Sequence, residues 1–190
     1  MNDPIETKEL NGFIIKIYQD DNMESPESWE DNGVFLVGYH RDFTVDRGSR
    51  KDGKYTPGIS QELARCIANK GNYEDGGYND EAKDYLKQYH VFGLEAYIHS
   101  GVVLALSNEG NFCDRQWDVS QLGLVFVSKK ETRMRKAALR IARGLIETWN
   151  DYLSGNVYGF TITDQEENNF DSCWGFYGAC REKTQTQVMI

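Results

Sequence analysis

Short apolar runs, several of them alternating with polar residues, predict seven β-strands along the chain. Such runs are typical of strands when they are rich in β-branched and aromatic residues and are bounded by turn-forming residues. A natural tight turn occupies residues 99–101, and an acidic, asparagine-rich turn occupies residues 164–169. We therefore expect two antiparallel hairpins at these turns, and an antiparallel pair formed by the first two strands. The predicted strands are residues 13–18, 33–40, 91–98, 101–106, 122–128, 157–163 and 172–177.

The clearest helical pattern covers residues 130–153. Apolar residues recur there at intervals of three and four, which is the period of one helix face. Gly155 ends the pattern, because glycine adopts a left-handed backbone cheaply. Two shorter helices are predicted, one after Pro57 that ends by Gly71 and one over residues 80–89. The apolar row of the long helix consists of Met134, Ala138, Ile141, Leu145, Trp149 and Tyr152.

These elements together predict an α+β fold. The expected architecture is a mainly antiparallel sheet of five to seven strands, with the one long amphipathic helix packed on it and two short helices. Strand alternation would place Trp174 and Phe176 on the same face of the sheet. We expect that face to pack on Leu145 and Trp149 of the long helix.

Length and cysteine usage favour one domain in a reducing compartment. A chain of 190 residues suits a single domain over residues 1–190, with residues 1–10 and 181–190 expected to fray. The four cysteines include no CxxC pair, and the polar, acidic N-terminus has no signal-peptide pattern. We therefore expect free thiols in the cytoplasm of a bacterial host cell. The longest apolar runs are far shorter than the roughly 20 residues of a membrane span, so no membrane partner is expected.

The charge of the chain changes the expected partners. The 21 Lys and Arg residues against 30 Asp and Glu give a formal net charge of −9. This charge repels a phosphate backbone at long range, which disfavours a general nucleic-acid binder and favours basic protein partners. Residues 20–31 hold six acids and no Lys or Arg, and a second acidic stretch lies in residues 71–84. The spacing in that second stretch does not match a calcium-binding loop, so no metal or cofactor is predicted.

The acidic stretches have two interpretations, a solvated surface loop or a recognition surface for a basic groove. In the second case an aromatic residue within the first stretch would act as an anchor. The candidate partner-binding residues are Asp20, Asp21, Glu24, Glu27, Trp29, Glu30, Asp31, Glu74 and Asp75.

A basic stripe follows the polar side of the long helical pattern at intervals of three and four residues. It either pairs with the acidic loops of its own fold, where exposed ion pairs contribute roughly 0 to 1 kcal/mol each, or it faces an anion such as a nucleotide or nucleic acid. The alternative anion-binding residues are Lys129, Arg133, Lys136, Arg140 and Arg143.

Catalytic signatures are sparse in this sequence. No phosphate-binding glycine loop, HExxH or GxSxG motif occurs, which favours a binding protein over an enzyme. Cys173 is a candidate nucleophile, but a cysteine nucleophile needs a base, and the chain offers only His40, His90 and His99. A Cys173-dependent enzyme is the least favoured of three hypotheses.

Three strings resemble a group of uncharacterised accessory proteins of bacteriophages and plasmids. They are WDxSQxG over residues 117–123, ETWNxYLxGxVYGF over residues 147–160 and DSCWGFYG over residues 171–178. The resemblance extends to the N-terminal part of the chain but not to residues 42–87. It carries no established activity. It implies a context, because small acidic proteins of mobile elements often interfere with host defence.

Charge and resemblance together lead to an expected function. The leading hypothesis is an accessory protein that binds and inhibits a host defence protein or ribonucleoprotein complex, in the manner of anti-CRISPR or anti-restriction proteins, through its acidic loops. The alternative is a protein that binds and sequesters a nucleotide or nucleic acid along residues 129–143.

Overall fold

A computed structural model gives the fold of the protein. It describes residues 3–28, 33–40, 43–45, 49–51, 54–56, 58–74, 77–99, 101–110, 112 and 118–178. In that part of the chain, helices and antiparallel strands form an α+β fold, as predicted. The chain divides into two compact units, Met1–Ser28 with Thr148–Ile190, and Trp29–Glu147. We refer to them as the first and the second unit.

The predicted strands and helices are present, and each strand lies within about three residues of its predicted bounds. The strands are β1 Glu6–Leu10, β2 Phe13–Gln19, β3 Val34–His40, β4 Phe43–Val45, β5 Ser49–Lys51, β6 Lys54–Thr56, β7 Tyr89–Ile98, β8 Val102–Leu106, β9 Val119–Ser128, β10 Val157–Thr163 and β11 Asn169–Tyr177. The helices are α1 Gln61–Ala68, α2 Asn79–Gln88 and α3 Arg135–Leu153. A short 3-10 turn occupies Pro26–Ser28.

The strands do not form the single sheet of five to seven strands that was predicted. The first unit holds a four-stranded sheet in the order β1-β2-β10-β11, and the second holds a five-stranded sheet in the order β4-β3-β9-β7-β8. Strands β5 and β6 form a separate pair. The predicted pairing of the first two apolar strands is also wrong, because β2 pairs with β1 and β10 whereas β3 pairs with β4 and β9. Both predicted hairpins, β7–β8 and β10–β11, are confirmed.

Strand β1 lies in the stretch that was expected to fray. It pairs with β2 over its whole length, from Glu6 opposite Ile17 to Leu10 opposite Phe13. The two residues between the strands, Asn11 and Gly12, have φ angles of 53° and 84°. Positive φ at both central residues is the requirement of the tight hairpin turn for which an Asn-Gly pair is favoured. The expectation for residues 181–190 falls outside the described residues.

The core of the second unit lies where α1 and α2 cover one face of the five-stranded sheet. The rings of Phe35 and Phe126 stack there with centroids 4.8 Å apart. Leu63 and Ile67 of α1 and Ala82 of α2 are buried in the same cluster. The short helices therefore complete the unit by burying the sheet face that they cover.

Helix α3 begins at Arg135, five residues later than predicted. The chain before it is held in turns, because the Ser128 hydroxyl accepts from the Lys130 N–H at 3.2 Å and the Thr132 hydroxyl accepts from the Met134 N–H at 3.2 Å. Serine and threonine side chains compete in this way with helical hydrogen bonding. Met134 lies just before the helix and is exposed. The buried residues of the helix are Ala138, Ala142, Ile146, Trp149 and Asp151.

Trp174 and Phe176 do not share a face of the sheet. Strand β11 contains a bulge, in which Trp174 and Gly175 together lie opposite Gly159 of β10. Gly175 has a φ of 81°, which glycine adopts without strain. Trp174 covers Gly159, whereas the Phe176 ring contacts Phe160 at 5.6 Å, on the opposite face. The extra residue thus breaks the alternation on which the predicted packing depended.

Asp20 fastens the loop after β2 to the sheet. The residue is 8% exposed. Its Oδ1 accepts from the Asn22 N–H at 3.0 Å and its Oδ2 accepts from the Gly175 N–H at 3.2 Å. The same loop is also held by the Tyr177 hydroxyl of β11, which donates a hydrogen bond to the Glu24 carbonyl. One carboxylate therefore satisfies backbone donors of two separate segments.

Replacing Asp20 by Ala should lower the free energy of unfolding by about 1–3 kcal/mol, since two partly buried hydrogen bonds from backbone N–H groups to a carboxylate are lost. Urea unfolding followed by circular dichroism measures this change. Glu24→Ala is the matched control, because it removes an exposed carboxylate from the same loop but keeps the Glu24 carbonyl, and it should change stability by less than about 0.5 kcal/mol. Equal losses in the two variants would contradict the anchoring role.

A second carboxylate organises the turn between β10 and β11. Asp164 Oδ1 accepts from the N–H groups of Glu166 and Asn168, both at 2.9 Å. Its Oδ2 accepts from the Asn168 side-chain amide at 2.9 Å. These bonds favour the ionised form, so the Asn168 amide, and then its backbone N–H, hold the pKa of Asp164 below its usual value.

The depressed pKa predicts how the hairpin responds to acid. A carboxylate whose pKa is lower in the folded state stabilises fully above its unfolded pKa, and the contribution is lost as the pH falls through the folded value. The unfolded reference for Asp164 is 3.8. Asp164→Asn should therefore be less stable than the parent at pH 7, and the difference should disappear well below pH 3.8. Unfolding curves at several pH values test this, with Glu166→Gln as the control from the same turn.

Candidate functional site

A cleft of about 830 Å³ lies in the second unit, between α1 and the five-stranded sheet. Strands β7 and β9 contribute its floor, and Tyr39 of β3 contributes one end. The segment that leads into α3 contributes Lys129 and Arg135. This volume falls in the upper part of the roughly 300–1,000 Å³ range of ligand clefts.

The lining of the cleft is positively charged. It includes Arg65, Lys70, Lys129 and Arg135, and no Asp or Glu is among the described residues that line it. None of these four side chains forms an ion pair with a carboxylate of the described residues. We call this feature the cationic cleft. It is unexpected in a chain of net charge −9.

Lys129 and Arg135 are oriented by backbone carbonyls rather than by acids. Lys129 Nζ donates to the Leu86 carbonyl at 2.7 Å, and Arg135 Nη2 donates to the Val91 carbonyl at 3.2 Å. The Arg135 guanidinium also lies over the Phe92 ring, 4.5 Å from its centroid. A lysine has three donors and an arginine five, so most of their hydrogen-bonding capacity remains for a ligand.

Arg65 and Lys70 lie on the opposite wall, at the end of α1. Both are exposed. The helix ends with Lys70 and Gly71 at φ angles of 57° and 69°. The N–H groups of these two residues donate to the carbonyls of Ile67 and Cys66 at 3.0 and 2.8 Å. This closure of the helix end fixes the backbone that carries Lys70.

Aromatic side chains supply a rigid surface between the two basic walls. The Tyr39 hydroxyl donates to the Ile59 carbonyl, which ties the ring to the segment before α1. Tyr89 packs edge-on against Phe35, with centroids 5.5 Å apart. His90 is buried, and its Nε2 lies 3.0 Å from the Thr132 carbonyl oxygen. The site therefore combines fixed rings with uncompensated cations.

The predicted basic stripe does not form one surface. Lys129 lines the cleft, but Arg143 makes two hydrogen bonds of 2.8 Å to the Glu109 carboxylate, which lower the pKa of Glu109. Arg133, Lys136 and Arg140 are exposed and do not line the cleft. Arg143 thus agrees with the ion-pair interpretation of the stripe, whereas the anion-binding interpretation stays a prediction.

Sequence reasoning missed three of the four cleft cations. Arg65 and Lys70 lie at the end of α1, about 60 residues before Lys129 and Arg135, so no local spacing links the two pairs. The fold brings them to one cavity, which residues of β7 and β9 also line.

The predicted acidic residues are dispersed. Asp20 is buried and holds backbone N–H groups, whereas Asp21, Glu24 and Glu27 are exposed on the anchored loop of the first unit. Glu74 is exposed in the second unit. The other predicted partner-binding residues, Trp29, Glu30, Asp31 and Asp75, lie outside the described residues.

Cys173 is exposed on β11 in the first unit. All three histidines of the sequence belong to the second unit. Across the described ranges, no cluster of three or more His, Cys, Asp and Glu side chains is arranged to hold a metal ion. No helix of the described chain is both long and apolar enough to cross a membrane.

Comparisons with known proteins add no assignment. No protein-family model matches the chain, and searches of curated proteins and of solved structures gave no significant match.

Proposed function

We propose that this protein binds a nucleotide in the cationic cleft of its second unit. The observation that supports the proposal is a cleft with four basic side chains and no described acid in its lining, in a chain of net charge −9. Surface cations of an acidic protein are normally compensated by neighbouring carboxylates, as Arg143 is by Glu109. Two of the cleft cations, Lys129 and Arg135, are held by carbonyl oxygens instead.

The combination of charge and rings favours a nucleotide over a simple anion. Guanidinium and ammonium groups on both walls suit phosphate oxygens, and Arg135 stacked on Phe92 presents a fixed edge. Tyr39 and Tyr89 offer aromatic surfaces to a planar base. The net negative charge opposes anion approach at long range, so affinity must come from contacts inside the cleft.

A protein of this kind would act by sequestering a nucleotide, since no catalytic constellation accompanies the cleft in the described residues. The chain resembles accessory proteins of phages and plasmids, and small acidic proteins of mobile elements often interfere with host defence. A signalling nucleotide of a host defence system is therefore a suitable ligand. This role is part of the proposal and gives it a cellular test.

Titration calorimetry with ATP, GTP and a cyclic dinucleotide tests nucleotide binding directly. At least one of them should bind more tightly than adenosine or tripolyphosphate, which carry only the base and sugar or only the phosphates. The double variant Arg65→Glu/Lys70→Glu should weaken this binding at least about tenfold, because each charge-assisted contact is worth about 1.5–3 kcal/mol.

The matched control is Lys136→Glu/Arg140→Glu, which makes the same charge change at exposed positions outside the cleft. It should change affinity by no more than about twofold, since salt screens distant charges. Absence of binding by all three nucleotides, equal effects of the two double variants, or tighter binding of a single-stranded DNA oligomer would contradict the proposal.

A second proposal is stoichiometric inhibition of a host defence complex by the acidic loop of the first unit. The observation in its favour is that Asp21, Glu24 and Glu27 are exposed on a loop that Asp20 and Tyr177 fasten to the sheet. An anchored loop loses little conformational entropy on binding a basic groove. Its charges would act mainly on the rate of association.

Plaque formation on bacteria that carry a phage-targeting CRISPR nuclease tests this second proposal. Expression of the protein should raise plating efficiency, and the variant Asp21→Asn/Glu24→Gln/Glu27→Gln should lose most of that gain because the basic groove loses its counter-charge. Asp80→Asn/Glu81→Gln on α2 is the control and should keep the full effect. Unchanged plating by the parent protein, or equal loss in both variants, would reject the acidic-loop mechanism.

A further inference from the structure

One face of the four-stranded sheet in the first unit is apolar but not buried. Its centre consists of Ile15 and Ile17 on β2 and Phe160 and Ile162 on β10, which lie directly opposite each other in register. Phe13 and Phe176 flank this centre. We call these six residues the apolar face. Each of them is at least partly exposed.

The edges of the apolar face are more exposed than its centre. Leu10 and Phe170, which adjoin Phe13, are 46% and 74% exposed. A sheet normally buries one face against another layer. Contiguous exposed apolar patches of this kind mark interaction sites. The apolar face is therefore a candidate binding surface.

The charges at the two edges of the apolar face indicate which partner binds it. One row of residues crosses all four strands in register, with Lys8 on β1, Ile15 on β2, Ile162 on β10 and Asp171 on β11. The row therefore begins with a cation, which also pairs with Glu6 of the same strand at 2.9 Å, and ends with an anion. A two-fold axis parallel to the strands would place Lys8 of one copy opposite Asp171 of the other, at both ends of the row.

We propose that the apolar face binds the same face of a second copy of this chain. The contact is isologous, so every residue of the face meets a residue of the same surface, and the charges pair rather than repel. Two sheets in aligned packing keep their strand directions within about 30°, which preserves this register. The row thus supplies both an apolar centre and complementary ends.

The size of the face sets the strength of the dimer. Four strands span about 19 Å and seven residues span about 23 Å. Two copies then cover on the order of 900 Å² of footprint, which is below the roughly 1,200 Å² at which stable specific interfaces begin. We therefore expect a dimer that dissociates on dilution.

Sedimentation velocity over a range of micromolar concentrations tests the proposal with the full chain. The parent protein should shift from monomer to dimer as concentration rises. Phe170→Ser should raise the dimer dissociation constant at least about tenfold, because it removes an exposed ring from both copies. Met134→Ser is the control, since Met134 is 68% exposed but belongs to the second unit, and it should leave the constant unchanged.

A charge exchange tests the two-fold arrangement itself. Lys8→Asp and Asp171→Lys should each weaken the dimer several-fold, and the double variant should restore it to within about twofold. Circular dichroism checks that every variant is folded. A monomer at all concentrations, a dimer insensitive to Phe170→Ser, or failure of the double exchange would overturn the proposal. Flotation of a monomeric protein with phosphatidylcholine vesicles would show that lipid, not a second copy, covers the face.

Discussion

Burial of β9 on both of its faces is the interaction on which the second unit depends. Val125, Phe126 and Val127 have no exposed surface. The strand pairs with β3 on one side and β7 on the other, and these partners come from separate parts of the chain. Phe126 also anchors the cluster that holds α1 and α2. The wall and floor of the cationic cleft are therefore fixed by the same apolar contacts, and a ligand would meet a surface that needs little reordering.

One wall of the cleft keeps its charge because carbonyl oxygens position Lys129 and Arg135. A carboxylate partner would orient Lys129 or Arg135 equally well, but it would also cancel the charge that a phosphate needs. The Leu86 and Val91 carbonyls orient the side chains through single hydrogen bonds and leave their net charge unchanged. Arg143 illustrates the opposite case, since its bidentate bond to Glu109 uses the guanidinium for structure. Two arginines of one helix thus differ in whether a carboxylate neutralises them.

Local patterns in the sequence predicted where the strands and helices lie. They were least informative about which strands pair in each sheet. Backbone geometry makes apolar residues recur every second residue in a strand and every three to four residues in a helix. These two spacings located the strands and the helices. Assignment of strands to two sheets depends on which distant apolar faces meet, and the run at 13–18 looks no different from the run at 33–40. The bulge at Gly175 and the helix start at Arg135 depend on single glycine, serine and threonine residues. Cleft residues from three segments carry no shared spacing, so the site could not be predicted from the sequence.

The two proposed surfaces should respond to salt in opposite directions, because different forces govern them. Phosphate contacts in the cleft are electrostatic at short range and weaken as salt rises. Association of two chains that each carry a net charge of −9 is opposed by repulsion, which salt screens. The apolar centre of the sheet face is insensitive to moderate salt, and its two exposed edge pairs contribute at most about 1 kcal/mol each. Screening therefore favours the dimer while it disfavours the nucleotide, so the two surfaces can be separated in the same protein without any mutation.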